Sequence, residues 1–229
     1  LLSRLDRLKG EFKIEFMTSH PRDCTQRLID VIADSEKICH HLHLPVQCGS
    51  DRILKLMNRH YDRARYLALV DYARKRIPDL NLTTDIIVGF PGETREDFEQ
   101  TLDLMRKVRF DSAFTFIYSP RLGTKAADME DPVTADEKGK WFRELLEVQG
   151  ECGSESYRKY VGKTLRVLCE GKGRTSETYF TGKSRENIIV DFNGGEKDIG
   201  TFVSVRITEA KAWALIGMIN ALKNYKKER

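Results

Sequence analysis

Two apolar runs are interrupted by groups that can do chemistry. In "HHLHLPVQ" the histidines His41 and His43 alternate with leucines, and in "TTDIIVGFPGE" an aspartate, Asp85, stands inside an apolar run. Alternate side chains of a strand share a face. Leu42, Leu44 and Val46 therefore point one way and His41, His43 and Gln47 the other, while Thr83, Asp85 and Ile87 share a face of their own run. A strand covered by helices must be apolar on that side. Its polar face then turns to the interior of an α/β barrel, where Asp85 can meet a ligand, a backbone group or a histidine. His-x-His is also the spacing of a metal pair, but no third ligand stands nearby, so lining the interior is the simpler role. The loop "GFPGE" that follows is neither a P-loop nor G-x-G-x-x-G. It is either a tight strand-to-helix turn or a place where Gly89 and Gly92, lacking Cβ, let a nucleotide-like ligand approach the backbone. Gln47, Asp85, Gly89 and Gly92 are the candidate contacts, since ligands of such folds lie at the carboxyl ends of strands.

The elements that position these residues alternate. Strand-like runs at Phe12–Met17, His41–Val46, Leu82–Val88 and Ser112–Tyr118 are separated by helical patterns. In "RARYLALVDYARKRI" the residues Tyr66, Leu69, Val70, Ala73 and Ile77 fall on one helical face, and Pro78 stops the pattern. Thr94 and Asp97 form a variant capping box before "REDFEQTLDLMRKV". Such alternation predicts parallel strands with crossover helices, an α/β sheet or barrel. The chain opens on an amphipathic stretch, "LLSRLDRLKGEF", without a preceding strand, and four βα units are few for a closed barrel. It is therefore expected to be a fragment. Thr134 and Glu137 start a long helix to about Tyr160 that reads as a connector. From Val161 the period changes to two, and five short strands in about sixty residues suggest a small closed all-β barrel of the OB-like kind.

The totals bound the class. At 229 residues, 40% hydrophobic and 32% charged, the chain is of ordinary globular composition, and no apolar run approaches the roughly 20 residues of a membrane span. Five scattered cysteines offer no local zinc or iron–sulfur spacing and fit a reduced, cytoplasmic protein. The net charge of +4 is unevenly spread: Arg158–Arg229 holds 15 Lys+Arg against 8 Asp+Glu. A basic C-terminal module implies a polyanionic partner, although "KNYKKER" alone supplies part of that charge.

Read together, "HLHLPVQCGSDRILKLMNRHY", "LTTDIIVGFPGETREDFEQTL" and "VRFDSAFTFIYSPRLGT" resemble the radical S-adenosylmethionine methylthiotransferases, and "YVGKTLRVLCEG" with "TFVSVRITEAKAWALIGMI" resembles their TRAM domain. The resemblance implies a partial (β/α) radical-SAM-type barrel over 1–131, a connecting helix over 132–160 and a TRAM-like barrel over 161–225. It is strongest to the branch that adds a methylthio group to C2 of N6-isopentenyladenosine beside a tRNA anticodon, with the threonylcarbamoyladenosine branch as the alternative and a non-catalytic RNA-binding module as the reading for the fragment alone. It implies S-adenosylmethionine and two 4Fe–4S clusters for a full-length enzyme, an electron donor, the tRNA anticodon stem-loop as partner, and no membrane. The family's Cys-x-x-x-Cys-x-x-Cys cluster motif is absent here, so no catalytic or metal-binding residue is assigned, and Cys48 stands where the family usually has serine. Lys163, Arg166, Lys183 and Arg185 are the candidate RNA contacts, with Lys172, Arg174, Tyr179 and Phe180 among them in sequence.

Overall fold

The computed structural model describes residues 1–173, 179–211 and 214–219. The backbone divides into two compact units. One comprises Phe16–Asp34 and Leu42–Cys152, the other Leu1–Glu15, Ser35–His41 and the described residues from Gly153 onward. Helices are α1 (Leu2–Asp6), α2 (Gln26–Asp34), α3 (Asp51–Leu56), α4 (Arg63–Arg76), α5 (Arg95–Val108) and α6 (Ala135–Arg158). Strands are β1 (His41–His43), β2 (Asn81–Val88), β3 (Ser112–Ile117), β4 (Thr164–Lys172), β5 (Phe180–Ser184), β6 (Ile189–Asn193), β7 (Phe202–Ala210) and β8 (Leu215–Ile219).

The expected α/β alternation is present, as a sheet ordered β1-β2-β3 with β2 and β3 parallel. Strand β1 is shorter than the run His41–Val46 because Pro45 has no N–H for the ladder. Side chains replace the missing bonds. The Thr84 hydroxyl donates to the Leu44 carbonyl and accepts from the Val46 N–H, both at 2.9 Å, and Tyr66 donates to the Leu44 carbonyl at 2.8 Å. The Tyr61 hydroxyl donates to the Val46 carbonyl at 3.0 Å. The run Phe12–Met17 makes no named strand. It contributes a single bridge, Ile14 to Ile38, without neighbouring pairs to extend it. The amphipathic stretch at the start shortens likewise to the five residues of α1.

Helix α5 carries the capping box expected of Thr94 and Asp97, and α4 ends before Pro78. Within this unit Leu42, Leu44, Val46, Ile86, Val88 and Phe98 are buried, and Phe98 stacks on Trp141 with ring centroids 5.2 Å apart. Leu69 of the predicted α4 face is only half-buried.

The second unit holds the closed barrel β4-β5-β6-β8-β7. All its pairings are antiparallel except β6 with β8. All five expected strands are there, and alternate residues Val190, Phe192, Val203, Val205, Ile207 and Leu215 fill the interior. Closure of this kind removes the exposed edges that an open sheet would present. Arg174, Trp213 and the basic tail 223–229 lie outside the described residues.

Gly49 marks where α5 comes closest to the β1–α3 connection. A Cβ there would stand 2.5 Å from both the Gln100 carbonyl oxygen and Thr101 Cα, which are backbone and cannot swing away. Gly49→Ala should therefore cost roughly 1–3 kcal/mol. Urea unfolding should show a lower midpoint at unchanged slope, and an unchanged midpoint would show that α5 moves aside freely.

Candidate functional site

Three of the chemistry-bearing residues converge on one face of the three-stranded sheet. The alternation of β2 puts Thr83, Asp85 and Ile87 on the side opposite the buried Thr84, Ile86 and Val88. His43 completes the group: its Nδ1 lies 2.9 Å from the Thr83 hydroxyl and its Nε2 3.3 Å from Asp85 Oδ1. A histidine, one of the partners open to Asp85 from sequence, thus satisfies it. Register places Phe114 beside Asp85 and Phe116 beside Ile87, and both rings are more than half exposed. The His43 ring meets Phe114 edge-to-face at 5.7 Å. The face therefore offers a partly open carboxylate beside flat apolar surface. Its aromatic half went unseen in the sequence, although the alternation of "SAFTFIY" carried the signal.

Gln47 lies beyond β1, past Pro45, in a left-handed conformation, φ 70°. Its N–H donates to the Asp85 carbonyl and its carbonyl accepts from the Ile87 N–H, both at 2.9 Å, so its backbone resumes the ladder that Pro45 interrupts.

The loop after β2 is built on positive φ at Gly89 (73°) and Gly92 (80°), which favours glycine at both. At Gly89 the space of a Cβ is filled: it would stand 2.5 Å from Cδ of Lys138, whose ammonium pairs with Asp131. The loop is held from inside by Glu93, a residue the sequence reading passed over. Glu93 is 1% exposed, and its carboxylate accepts from the N–H groups of Gly89 at 2.5 Å and Phe90 at 3.1 Å. Burial pushes Glu93 up to about 7, against the pull of those two amides. Beside it, the Cys48 thiol is fully buried, 3.4 Å from the Thr101 hydroxyl, and burial followed by the nearby Glu93 charge drives it to about 12. A thiol so far from its thiolate is inert packing rather than a sulfur carrier.

One turn further, Asp97 behaves oppositely. Burial works to raise it, but Arg52, the Ser50 hydroxyl at 2.6 Å and the Thr94 N–H hold it at about 2. Ser50 caps α3 and Thr94 caps α5, so one carboxylate ties both helix starts to the loop.

The candidate RNA contacts lie in the barrel-containing unit. Arg166 pairs with Glu11 at 2.9 Å, Lys183 lies 3.5 Å from Glu15, and Arg185 donates to the Ser35 carbonyl at 2.5 Å. The Lys163 ammonium lies 5.5 Å from the Tyr160 ring centroid. Phe180 is core, and Tyr179 is exposed. Among the described residues no group of three His, Cys, Asp or Glu is placed to hold a metal ion, and all five cysteines are buried and unbridged. A 4Fe–4S cluster thus does not fit the described residues of this chain. No helix among those residues is long and apolar enough to cross a membrane.

Because the native Glu93 binds its proton more tightly than an unfolded carboxylate does, its contribution to stability is present at low pH and fades as pH climbs through about 7. Glu93→Gln, which keeps the acceptor, should flatten that decline in denaturation measured from pH 5 to 8. Glu93→Ala strands two buried amides and should cost about 1–3 kcal/mol for each. Identical pH profiles for the wild type and Glu93→Gln would remove Glu93 as the titrating group.

Comparison with known proteins agrees with this architecture. The radical SAM superfamily model matches residues 1–105 and the TRAM domain model residues 158–219. The chain is 51% identical over 219 residues to the tRNA-2-methylthio-N(6)-dimethylallyladenosine synthase of Carboxydothermus hydrogenoformans, covering 96% of this chain and 50% of that protein. It is 49% identical to the synthase of the same name from Acetivibrio thermocellus, over 96% of this chain and 46% of the relative. It spans about half the length of the curated relatives it matches. Coproporphyrinogen III oxidase of Escherichia coli, a radical SAM enzyme, shares the fold at TM-score 0.53 and 18% identity, over 76% of this chain and 46% of that one. The chain thus carries a radical SAM region followed by a TRAM domain.

Proposed function

We propose that this chain is the part of a tRNA methylthiotransferase that binds S-adenosylmethionine and tRNA, in an enzyme that adds a methylthio group to C2 of N6-isopentenyladenosine next to the anticodon. The observation that carries this is the identity of about half the residues, along 96% of the chain, to relatives named for that product. The cluster chemistry such an enzyme needs is assigned to no residue here. What these residues supply is position and exclusion of water. S-adenosylmethionine carries a ribose, an adenine and a cationic sulfur. The sheet face suits a nucleoside, with Asp85 to accept from hydroxyls and the exposed Phe114 and Phe116 as apolar surface. In this reading Gln47, Asp85, Gly89 and Gly92 are the cofactor contacts, the two glycines by holding the turn through their positive φ. Asp85 has His43 to orient it, so its carboxylate is in place before a ligand arrives.

In the other unit the TRAM barrel presents Lys163, Arg166, Lys183 and Arg185 to the anticodon stem-loop. An electron donor and a cytoplasmic location complete the reading.

Two measurements test it. Mass spectrometry of tRNA nucleosides after deletion of the gene should show the methylthio group lost from isopentenyladenosine. Loss from threonylcarbamoyladenosine instead, or from neither, would sink the assignment. For binding, the slope of log affinity for tRNA against log salt should drop by about one for each phosphate contact removed in Lys163→Ala and Lys183→Ala. Unchanged slopes would take these lysines off the RNA.

A further inference from the structure

The barrel-containing unit holds a cavity of about 540 Å³, inside the range of about 300–1,000 Å³ typical of ligand pockets. Its lining comes from the segments Leu1–Glu15 and Ser35–His41, which supply Phe12, Lys13 and Lys37, and from the barrel region, which supplies Arg166, Arg185 and Phe202. Two of the cations lie against aromatic rings. The Arg166 guanidinium is 4.2 Å from the Phe202 ring centroid, and the Lys37 ammonium is 4.4 Å from that of Phe12. Each cation is also anchored. Arg166 pairs with Glu11, Lys13 donates to the Ser184 carbonyl at 2.9 Å, Arg185 to the Ser35 carbonyl, and Lys37 to the Leu8 carbonyl. The walls are thus ordered before any ligand enters, which lowers the entropy cost of binding.

We infer that this cavity receives one unpaired nucleotide of the RNA, its base against Phe202, Arg166 and Phe12 and its phosphate among Lys13, Lys37 and Arg185. The inference rests on the proposed tRNA substrate and extends it to a subsite. Flat rings and a guanidinium plane are what an unstacked base uses, whatever its identity. Ammonium groups beside them are what its phosphate uses. Glu11 neutralises Arg166 and leaves that guanidinium for stacking, which assigns the phosphate to the other three cations. Lys13 fits the second role: burial lowers its pKa, and a phosphate beside it would favour the charged form. A free phosphate would leave the two rings unused.

The test uses the full chain and a hairpin RNA whose loop carries the fluorescent base 2-aminopurine at one position at a time. One loop position should change its fluorescence on binding. Phe202→Ala should abolish that change and weaken binding on the order of tenfold, the size of one base–aromatic stack. Phe202 is half-buried in β7. Arg166→Gln, at an exposed side chain, and Lys37→Gln, outside the barrel strands, therefore provide the same readout without opening the barrel. The inference is overturned if the RNA binds with steep salt dependence while no loop position responds to any of the three changes. The tRNA reading would survive that result. It would fall together with the subsite if the chain bound no hairpin at all.

Discussion

The loop at the carboxyl end of β2 depends on a carboxylic acid shut away from water. Glu93 is buried, its acceptors are turned to two backbone amides, and desolvation outweighs their pull on its charge. Four residues along, Asp97 is nearly as hidden yet stays ionised because a guanidinium and two hydroxyls converge on it. The pair shows how environment alone separates two carboxylates that are near neighbours in sequence. Ionised Asp97 locks the starts of α3 and α5. Glu93 fills the inside of the turn, and its preference for the neutral state keeps a lone negative charge out of an apolar pocket shared with Cys48 and Phe90.

The barrel-containing unit solves a different problem. Its stability comes from closing the sheet on itself around Phe192, Val205 and Leu215. Gly182 and Gly217 lie on neighbouring backbone with no room for a side chain, which lets the small barrel turn tightly. Arg166, Lys183 and Arg185 are engaged with Glu11, Glu15 and a backbone carbonyl. Their partners are therefore set by segments remote in sequence rather than by the barrel's own charge count.

Much of this was legible beforehand. The capping box at Thr94, the stop at Pro78, the parallel β2–β3 pair and all five barrel strands follow from local pattern, because period and turn chemistry are properties of neighbours in sequence. The run Phe12–Met17 misled because its strand-like composition finds only one bridging partner, at Ile38. Glu93 was missed for a related reason. A glutamate after Pro-Gly reads as a solvated helix start, and only its packing in the folded chain, beside Cys48, makes it a buried acid. Asp85 fell between: the alternation showed which way it points, but not that His43, from a separate strand, would meet it.

The composition of the barrel-containing unit has a consequence for how the molecule is made. Its hydrogen bonds join Lys13 to Ser184 and Asn187 to Glu15, partners about 170 residues apart. At about 5–20 residues per second, a ribosome that has released Lys13 needs on the order of ten seconds more before Ser184 emerges. During that interval the segments Leu1–Glu15 and Ser35–His41 have no barrel to dock on, whereas Leu42–Cys152 is already complete enough to collapse around its own sheet. The nascent stretch carrying Phe12 and Ile14 therefore stays uncovered until the barrel segments have emerged.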